Sequence, residues 1–371
     1  MSDRDTLNTD ESRRRVTEDP GGLDHYERWW RRHQPWLEQS GYKLRPRYIP
    51  RRELPWKNSK KSYSEFEEGQ IPWFPYILDA TRASDGAYVT LKRILPSRGV
   101  AEREINELLA SISSIPDPRN HCATPLEILQ VPDDDMEQVI AMPLLRPFND
   151  PDFDSFGEVV TFFSQIFEGI QFMHEHHIAH RDCTELNIMM DASPMYPQSF
   201  HPVKINRSCD WKGKAKHYTR TRRPPKYYFI DFGLSQRYDP ANGPPRELPM
   251  RGGDKSAPEH ENYDTPCDPF PTDIYYLGNM IREVFIRKYL GFEFVERLVN
   301  DMVADDPAKR PDINEVVSRF KEIRSSLGTW KLRSRPIKRK EWYIVRAWRF
   351  WGHAYRTAGY IVARRPAIPD S

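Results

Sequence analysis

No stretch of the 371-residue sequence approaches the ~20 consecutive apolar residues that a membrane-crossing helix requires. Cysteine is scarce: Cys122, Cys183, Cys209 and Cys267 form no C-x-x-C pair and have no metal-ligand spacing. That excludes a disulfide scaffold and a zinc module, and predicts reduced thiols in an intracellular chain, cytoplasmic or nuclear. The first residues, Met1 to Arg15, are polar and lack the apolar centre of a signal peptide. Glycine is outnumbered by proline, 18 to 33, which points to stiff connections rather than flexible linkers. A surplus of charge is missing too: the net value is +2, so total charge selects no class of partner. No internal repeat is visible.

What is present is enough for a sizeable core. Hydrophobic residues make up 38% and aromatics 12%, a globular rather than a disordered composition. The opening segment, charged and polar to about Asp24, is predicted to be a disordered tail, with its boundary placed at residue 33. A stretch rich in Trp, Arg and Pro, Tyr26 to Trp56, is too aromatic for a linker and is expected to pack on the domain behind it. Tyr76–Arg82 and Ala87–Lys92 read as strands joined at Asp85-Gly86, a strong hairpin signal. Ile105, Leu108, Leu109 and Ile112 repeat at i, i+3, i+4 and i+7, the stripe of an amphipathic helix. Gln138 to Met142 reads as a strand stopped by Pro143. Phe156 to His176, Ile274 to Val284 and Phe294 to Met302 read as helices. A strand-rich half followed by a helix-rich half predicts an α+β fold.

Three motifs carry chemistry. His180-Arg181-Asp182-Cys183-Thr184-Glu185-Leu186-Asn187 comes first, Ile230-Asp231-Phe232-Gly233 second and Ala257-Pro258-Glu259 third. Any of them alone would be weak. In this order, after a helix and a strand, they resemble the H-R-D-x-x-x-x-N, D-F-G and A-P-E motifs of the eukaryotic protein kinase superfamily. The resemblance runs from about Ile77 to Leu327, and the wording around ILDATR, SDG and LKR is similar to a divergent fungal branch.

The resemblance implies a bilobal fold with a small β-rich N-lobe and a larger helical C-lobe. Its expected limits are residues 34–142 and 143–328, followed by an extension over 329–371. It implies ATP and Mg2+ as cofactors. Asp182 would orient the attacking hydroxyl, while Asn187 and Asp231 would hold the metal through hard oxygens. Lys92 would pair with the α and β phosphates and with a glutamate on the next helix, for which Glu104 is preferred to Glu107. Met142 would lie beside the nucleotide. His180, Arg181, Phe232, Gly233 and Asp273 would support the loop, and Arg310 would pair with Glu259. The last pairing favours a protein acceptor over a small-molecule one.

The pattern also departs from the family. Gly69 stands alone among Pro72 and Pro75, where a glycine-rich phosphate loop is expected. Thr184 and Leu186 occupy the positions where a Lys or an Arg would steady the γ-phosphate; Lys255 or Arg251 either supplies that charge from the other side or is an ordinary solvated turn charge. Gly252 replaces the usual activation-segment Thr. The expectation is a protein kinase, with Ser/Thr preferred to Tyr; the alternatives are a nucleotide-binding pseudokinase scaffold and a small-molecule phosphotransferase. The protein substrate is not identified. An insert at about 192–226 is basic, with nine Lys and Arg against Asp210 alone. It is read as a solvated surface, with docking of an acidic partner as the alternative. The tail from Trp330 is also basic and aromatic. It fits an amphipathic surface helix, a nuclear-localisation signal, a site for an acidic partner, or a helix packed back through Trp348 and Trp351.

Overall fold

The computed structural model describes residues 21–50, 53–112, 116–132, 134–250 and 253–369, with backbone alone for 96–101. The chain is α+β and gathers into two compact units. The first takes the chain up to Pro96, Pro125–Leu144 and Gln198–Lys216. The second takes Ser97–Thr124, Leu145–Pro197 and His217–Ser371. The long insert is therefore shared, and residues 198–216 belong with the N-terminal sequence.

The first unit opens on helix α1 (His25–Gln39), capped by Asp24 and Glu27 in a reciprocal capping box. The disordered tail expected to residue 33 is corrected here: residues 25–33 are helical, because the cap and the buried Trp30 and Leu37 fix them. Residues 1–20 lie outside the described part. Next come β1 (Tyr42–Leu44), β2 (Ile77–Arg82), β3 (Tyr88–Ile94), β4 (Glu127–Gln130) and β5 (Gln138–Pro143). They form one antiparallel sheet in the order β1-β2-β3-β5-β4. Alternation along the strands sends Leu78, Ala80, Val89 and Leu91 into a core with Trp30, Leu37, Tyr42 and Tyr48.

The segment between β1 and β2 is organised by two buried arginines. Arg47 meets Glu27 in a two-pronged pair, Nε to Oε1 at 2.6 Å and Nη2 to Oε2 at 2.9 Å. It also donates to the carbonyls of Gly21, Gly22 and Glu68, and Tyr48 donates to the same Glu27 oxygen that Nε meets. Arg45 reaches Asp79, Glu67 and the Gln70 carbonyl. His201 of the insert shares Glu67 at 3.2 Å, and Trp211 Nε1 donates to Glu65 O at 2.8 Å. This half of the insert is thus anchored by its own aromatic and imidazole groups, while Lys204, Arg207, Lys212, Lys214 and Lys216 stay exposed as a solvated surface.

The second unit contains α2 (Pro96–Ile112), β6 (Arg146–Pro147), α3 (Phe156–Glu175), β7 (Ile178–Ala179), β8 (Ile188–Asp191), β9 (Lys226–Phe229) and β10 (Gln236–Arg237). It continues with α4 (Pro269–Ile281), β11 (Tyr289–Leu290), α5 (Glu293–Met302), α6 (Ile313–Ser326), α7 (Thr329–Arg333), β12 (Ile337–Lys338) and α8 (Tyr343–Val362). α3 is buried nearly all round, as its run of Phe, Val and Ile dictates. Phe148, Phe162, Phe163, Phe285 and Phe292 interlock beside it, with Phe148 stacked on Phe162 at 4.5 Å between centroids.

β8 and β9 pair from Ile188↔Phe229 to Asp191↔Lys226, so the insert is the long tip of a hairpin. Its closing part is fixed in this unit. Arg220 is buried, donates to Phe148 O at 2.7 Å and lies over the Phe153 ring. Thr221 donates from both N and Oγ1 to Glu158. All four cysteines are free, and no helix among the described residues is long and apolar enough to cross a membrane.

Glu27→Gln removes the charge facing a guanidinium that is wholly out of solvent. We expect a loss of about 3–5 kcal/mol in urea unfolding, the usual consequence of leaving a buried partner uncompensated. The paired change Glu27→Leu with Arg47→Met should cost clearly less.

Candidate functional site

The loop after β7 is built on one carboxylate. Asp273, in the first turns of α4 and fully buried, accepts from His180 N at 2.8 Å and Arg181 N at 2.7 Å. His174 and the Cys183 thiol approach it as well. Arg181 sits at φ 66°, a left-handed conformation that ordinary residues avoid. Its side chain is drawn to Gln236 at 2.9 Å and toward Glu247 at 3.7 Å.

His180 spans the loop. Its Nδ1 accepts from Asp182 N at 3.3 Å and its Nε2 lies 3.2 Å from Ile230 O, so Nε2 carries the hydrogen in that bond. Ile230 N donates in turn to Asn187 O at 2.9 Å. These bonds and the β8–β9 ladder bring His180, Asp182, Asn187 and Asp231 into one neighbourhood. Asn187 Nδ2 donates to Asp182 twice, to the backbone O at 3.0 Å and to Oδ2 at 2.8 Å.

The other Asp182 oxygen, Oδ1, is buried without a hydrogen-bond partner among the described residues. A Cβ on Gly253, which stands at φ 70°, would come within 2.6 Å of it, so only glycine fits there. Burial raises the Asp182 carboxyl above the usual carboxylate range; the charge of Asp231 adds to this, and His180 and Asn187 oppose it. An unpaired buried acceptor with a raised pKa is a common mark of a functional group.

Asp231 also adopts the left-handed region, φ 62° and ψ 71°, at the turn into Phe232–Leu234. Phe232 is buried and faces the His180 ring at 5.4 Å between centroids. Around Gly233 a Cβ would touch Asp231 Oδ1 at 3.3 Å and Glu102 Oε2 at 3.4 Å. The acid that α2 turns toward this site is therefore Glu102, which is buried. The preference for Glu104 needs correction: both Glu104 and Glu107 are exposed. The signal was available, since Glu102 stands three residues before Ile105 and seven before Leu109, on the buried stripe, whereas Glu104 is one step around the helix.

Glu259 and Arg310 form a buried two-pronged pair at 2.6 and 2.9 Å, with Thr272 and the carbonyls of Ala304 and Pro271 completing it. Asp254 and Ser256 are held to α4 by Asn279, and Tyr275 donates to Ser256 O at 2.8 Å. Lys255 is exposed between them, while Arg251 and Gly252 lie outside the described residues. Ser235 is buried and donates to His180 O at 3.0 Å.

In the first unit, Lys92 is half-buried on β3, in register with Ile77 and Ile140, and Met142 is half-buried opposite Thr90. Gly69 is buried, and an added Cβ would stand 1.9 Å from Tyr63 O. Its N–H donates to Phe66 O at 3.2 Å, so this glycine serves a tight turn rather than an anion.

No family model matches the chain. Over 123 residues, 33% of its length, it is 31% identical to myosin light chain kinase 3 of Rattus norvegicus, Mus musculus and Homo sapiens. The matched stretch amounts to 11% of the length of those proteins. The chain is thus distantly similar, over a third of its residues, to a protein kinase. This match gives no support to the fungal branch suggested by the wording of the strands.

Burial alone would raise the Glu259 carboxyl, but the hydrogen bonds and charge of Arg310 outweigh it and hold it below the usual range. The stability this contributes is present above the unfolded carboxylate pKa and disappears as pH falls through the folded one. Arg310→Met should therefore cost about 3–5 kcal/mol near neutral pH. In urea unfolding followed from neutral to acid pH, its difference from the parent should shrink.

Proposed function

We propose that this chain is an ATP- and Mg2+-dependent phosphotransferase of the protein-kinase type, with a bilobal kinase fold, acting on a protein hydroxyl with Ser/Thr preferred to Tyr. The observation that carries the reading is Asp182: one oxygen held by Asn187, the other buried without a hydrogen-bond partner among the described residues, and Asp231 near enough for its charge to be felt. The partial similarity to myosin light chain kinase 3 supports the same class.

The residues suit a magnesium ion. Asp231 and Asn187 offer hard oxygens, and Asp182 leaves one acceptor unused. Among the described residues no group of three or more His, Cys, Asp or Glu forms a self-sufficient metal cluster. A site completed by nucleotide phosphates and water is the usual magnesium arrangement. When bound, the ion would neutralise phosphate charge. The chain's own groups do the rest. Asp273 and His180 fix the loop, and Asn187 holds the Asp182 carboxylate in one orientation. Asp182 then accepts a hydrogen bond from the incoming hydroxyl and takes its proton. Lys92 is assigned to the phosphates. The Glu259–Arg310 pair, which braces the end of the activation segment, favours a protein acceptor. Against fast turnover stand Thr184 and Leu186 in place of a cation, and Gly69 already committed to its own turn.

Purified protein incubated with labelled ATP and Mg2+ should label itself, and Asp231→Asn should not. With an acceptor peptide in hand, Asp182→Asn should lower turnover by about 10²–10⁴-fold. The parent's rate should fall on the acid side through a pKa above the ordinary carboxylate range, because the ionised base is lost there. Absence of label from both proteins, with a thermal shift by ATP that Lys92→Ala abolishes, would replace this reading by a nucleotide-binding scaffold. Label transferred only to a small alcohol would replace it by a small-molecule phosphotransferase.

A further inference from the structure

A helix on a globular protein normally hides its apolar stripe and shows its charges. α8 does the reverse. Its only buried residue is His353, which contacts Asp154 at 3.3 Å and Arg333 O at 2.8 Å. Arg356 meets Asp154 with two bonds, at 2.9 and 2.6 Å. Arg349 meets Glu341 and Asp152, and Tyr360 meets Thr219. The polar face is thus the one fastened to the second unit. Beyond the helix, Pro369 O accepts from Thr161, and Arg333 holds Arg365 O at 2.6 Å, so the chain is tied down after the helix as well.

The opposite face carries Ile344, Trp348, Trp351, Tyr355 and Val362, spaced by four, three, four and seven residues along one stripe. They are 82%, 78%, 72%, 84% and 84% exposed. Trp342 and Tyr343 at its start are equally open. The expectation that Trp348 and Trp351 pack back onto the fold is therefore corrected. The ion pairs of the other face decide which side turns inward.

We propose that this stripe is a membrane-surface site, on which α8 lies in the plane of an anionic lipid leaflet. Three observations select that occupant. The stripe is dominated by Trp and Tyr, whose rings suit the headgroup boundary. Exposed cations bracket it, Arg339 and Lys340 before and Arg364 and Arg365 after. From residue 338 to 365 the only acid is Glu341, its side chain shielded from solvent and neutralised by Arg335 and Arg349. The segment itself is thus cationic and aromatic, and the exposed Asp152 beside it is paired with Lys338 and Arg349 on the inward side. A second copy is a poor occupant. Two such helices packed head to tail would set the cations at the start of one against those at the end of the other. The helix does not cross the membrane, since it falls short of the apolar length and purity needed.

The test is flotation of the full chain with phosphatidylcholine vesicles, with and without phosphatidylserine. The chain should float with the anionic vesicles, with a blue shift of tryptophan emission, and should be released by high salt. Trp348→Ala with Trp351→Ala should lower partition by at least about tenfold while keeping the melting temperature, because both side chains are exposed. Arg364→Glu with Arg365→Glu should do the same, as a control independent of the tryptophans. Failure to float with either vesicle would overturn the proposal, as would equal flotation with neutral vesicles, or flotation that neither variant weakens. A dimer by light scattering that the tryptophan variant dissolves, without lipid binding, would assign the stripe to a second copy instead.

Discussion

Asp273 is out of solvent and directs its carboxylate chiefly at the loop between β7 and β8, with His174 of α3 beside it. Two backbone N–H groups pointing at one buried carboxylate are worth about 1.5–3 kcal/mol each. That exceeds the ~1–2 kcal/mol cost of holding Arg181 in the left-handed region. The strain at Arg181 is what reverses the chain sharply enough for Asp182 and Asn187 to face each other. His180 extends the same constraint to Ile230, and so to the turn at Asp231. Asp182 and Asp231 thus take their positions, directly or through His180, from a residue more than forty positions later in the chain.

This explains how a hairpin with so long a tip can still present a defined site. Ring-closure entropy rises only slowly with loop length, so an insert between β8 and β9 adds little cost if both strands stay paired. The tip recovers part of its own ordering cost through Arg220, Thr221, His201 and Trp211, each bound to a specific group. Its lysines are mostly exposed and give the segment its basic character, but they are not what places it. Composition therefore misdescribed the insert: it weighed the cations and gave no weight to the few residues with buried partners.

Legibility followed the physics of each element. The helices α3 and α5 and the strands β2, β3 and β5 were readable because one periodic apolar face meets one core. The motif residues were readable because their chemistry restricts the residue type at each spacing. α1 was missed at its start because a capping box at Asp24 and Glu27 lies inside a polar stretch that composition reads as disorder. Glu104 is preferred to Glu107 by likeness of wording, whereas helical geometry puts Glu102 on the buried stripe. The two-pronged pairing of Arg47 with Glu27 carries no local sequence signal, since its partners are separated by a helix, a turn and a strand.

The departures in the first unit bear on catalysis more than those around Asp182. A phosphate loop works because its backbone N–H groups are unspent and its glycines let them approach an anion. Here the turn around Gly69 uses its N–H groups internally, from Phe66 to Tyr63, Gly69 to Phe66 and Gln70 to Glu67. The nearby guanidinium of Arg45 is neutralised by Asp79 and Glu67. The N–H groups of Phe66, Gly69 and Gln70 are thus spent within the turn, and the charge of Arg45 is already matched by carboxylates. In the proposed reading, positive charge for a nucleotide would come instead from Lys92 and from a metal held by Asp231 and Asn187. In that proposed reading, the missing phosphate cover weakens ground-state nucleotide binding more than proton removal by Asp182, since the two are built by different parts of the chain.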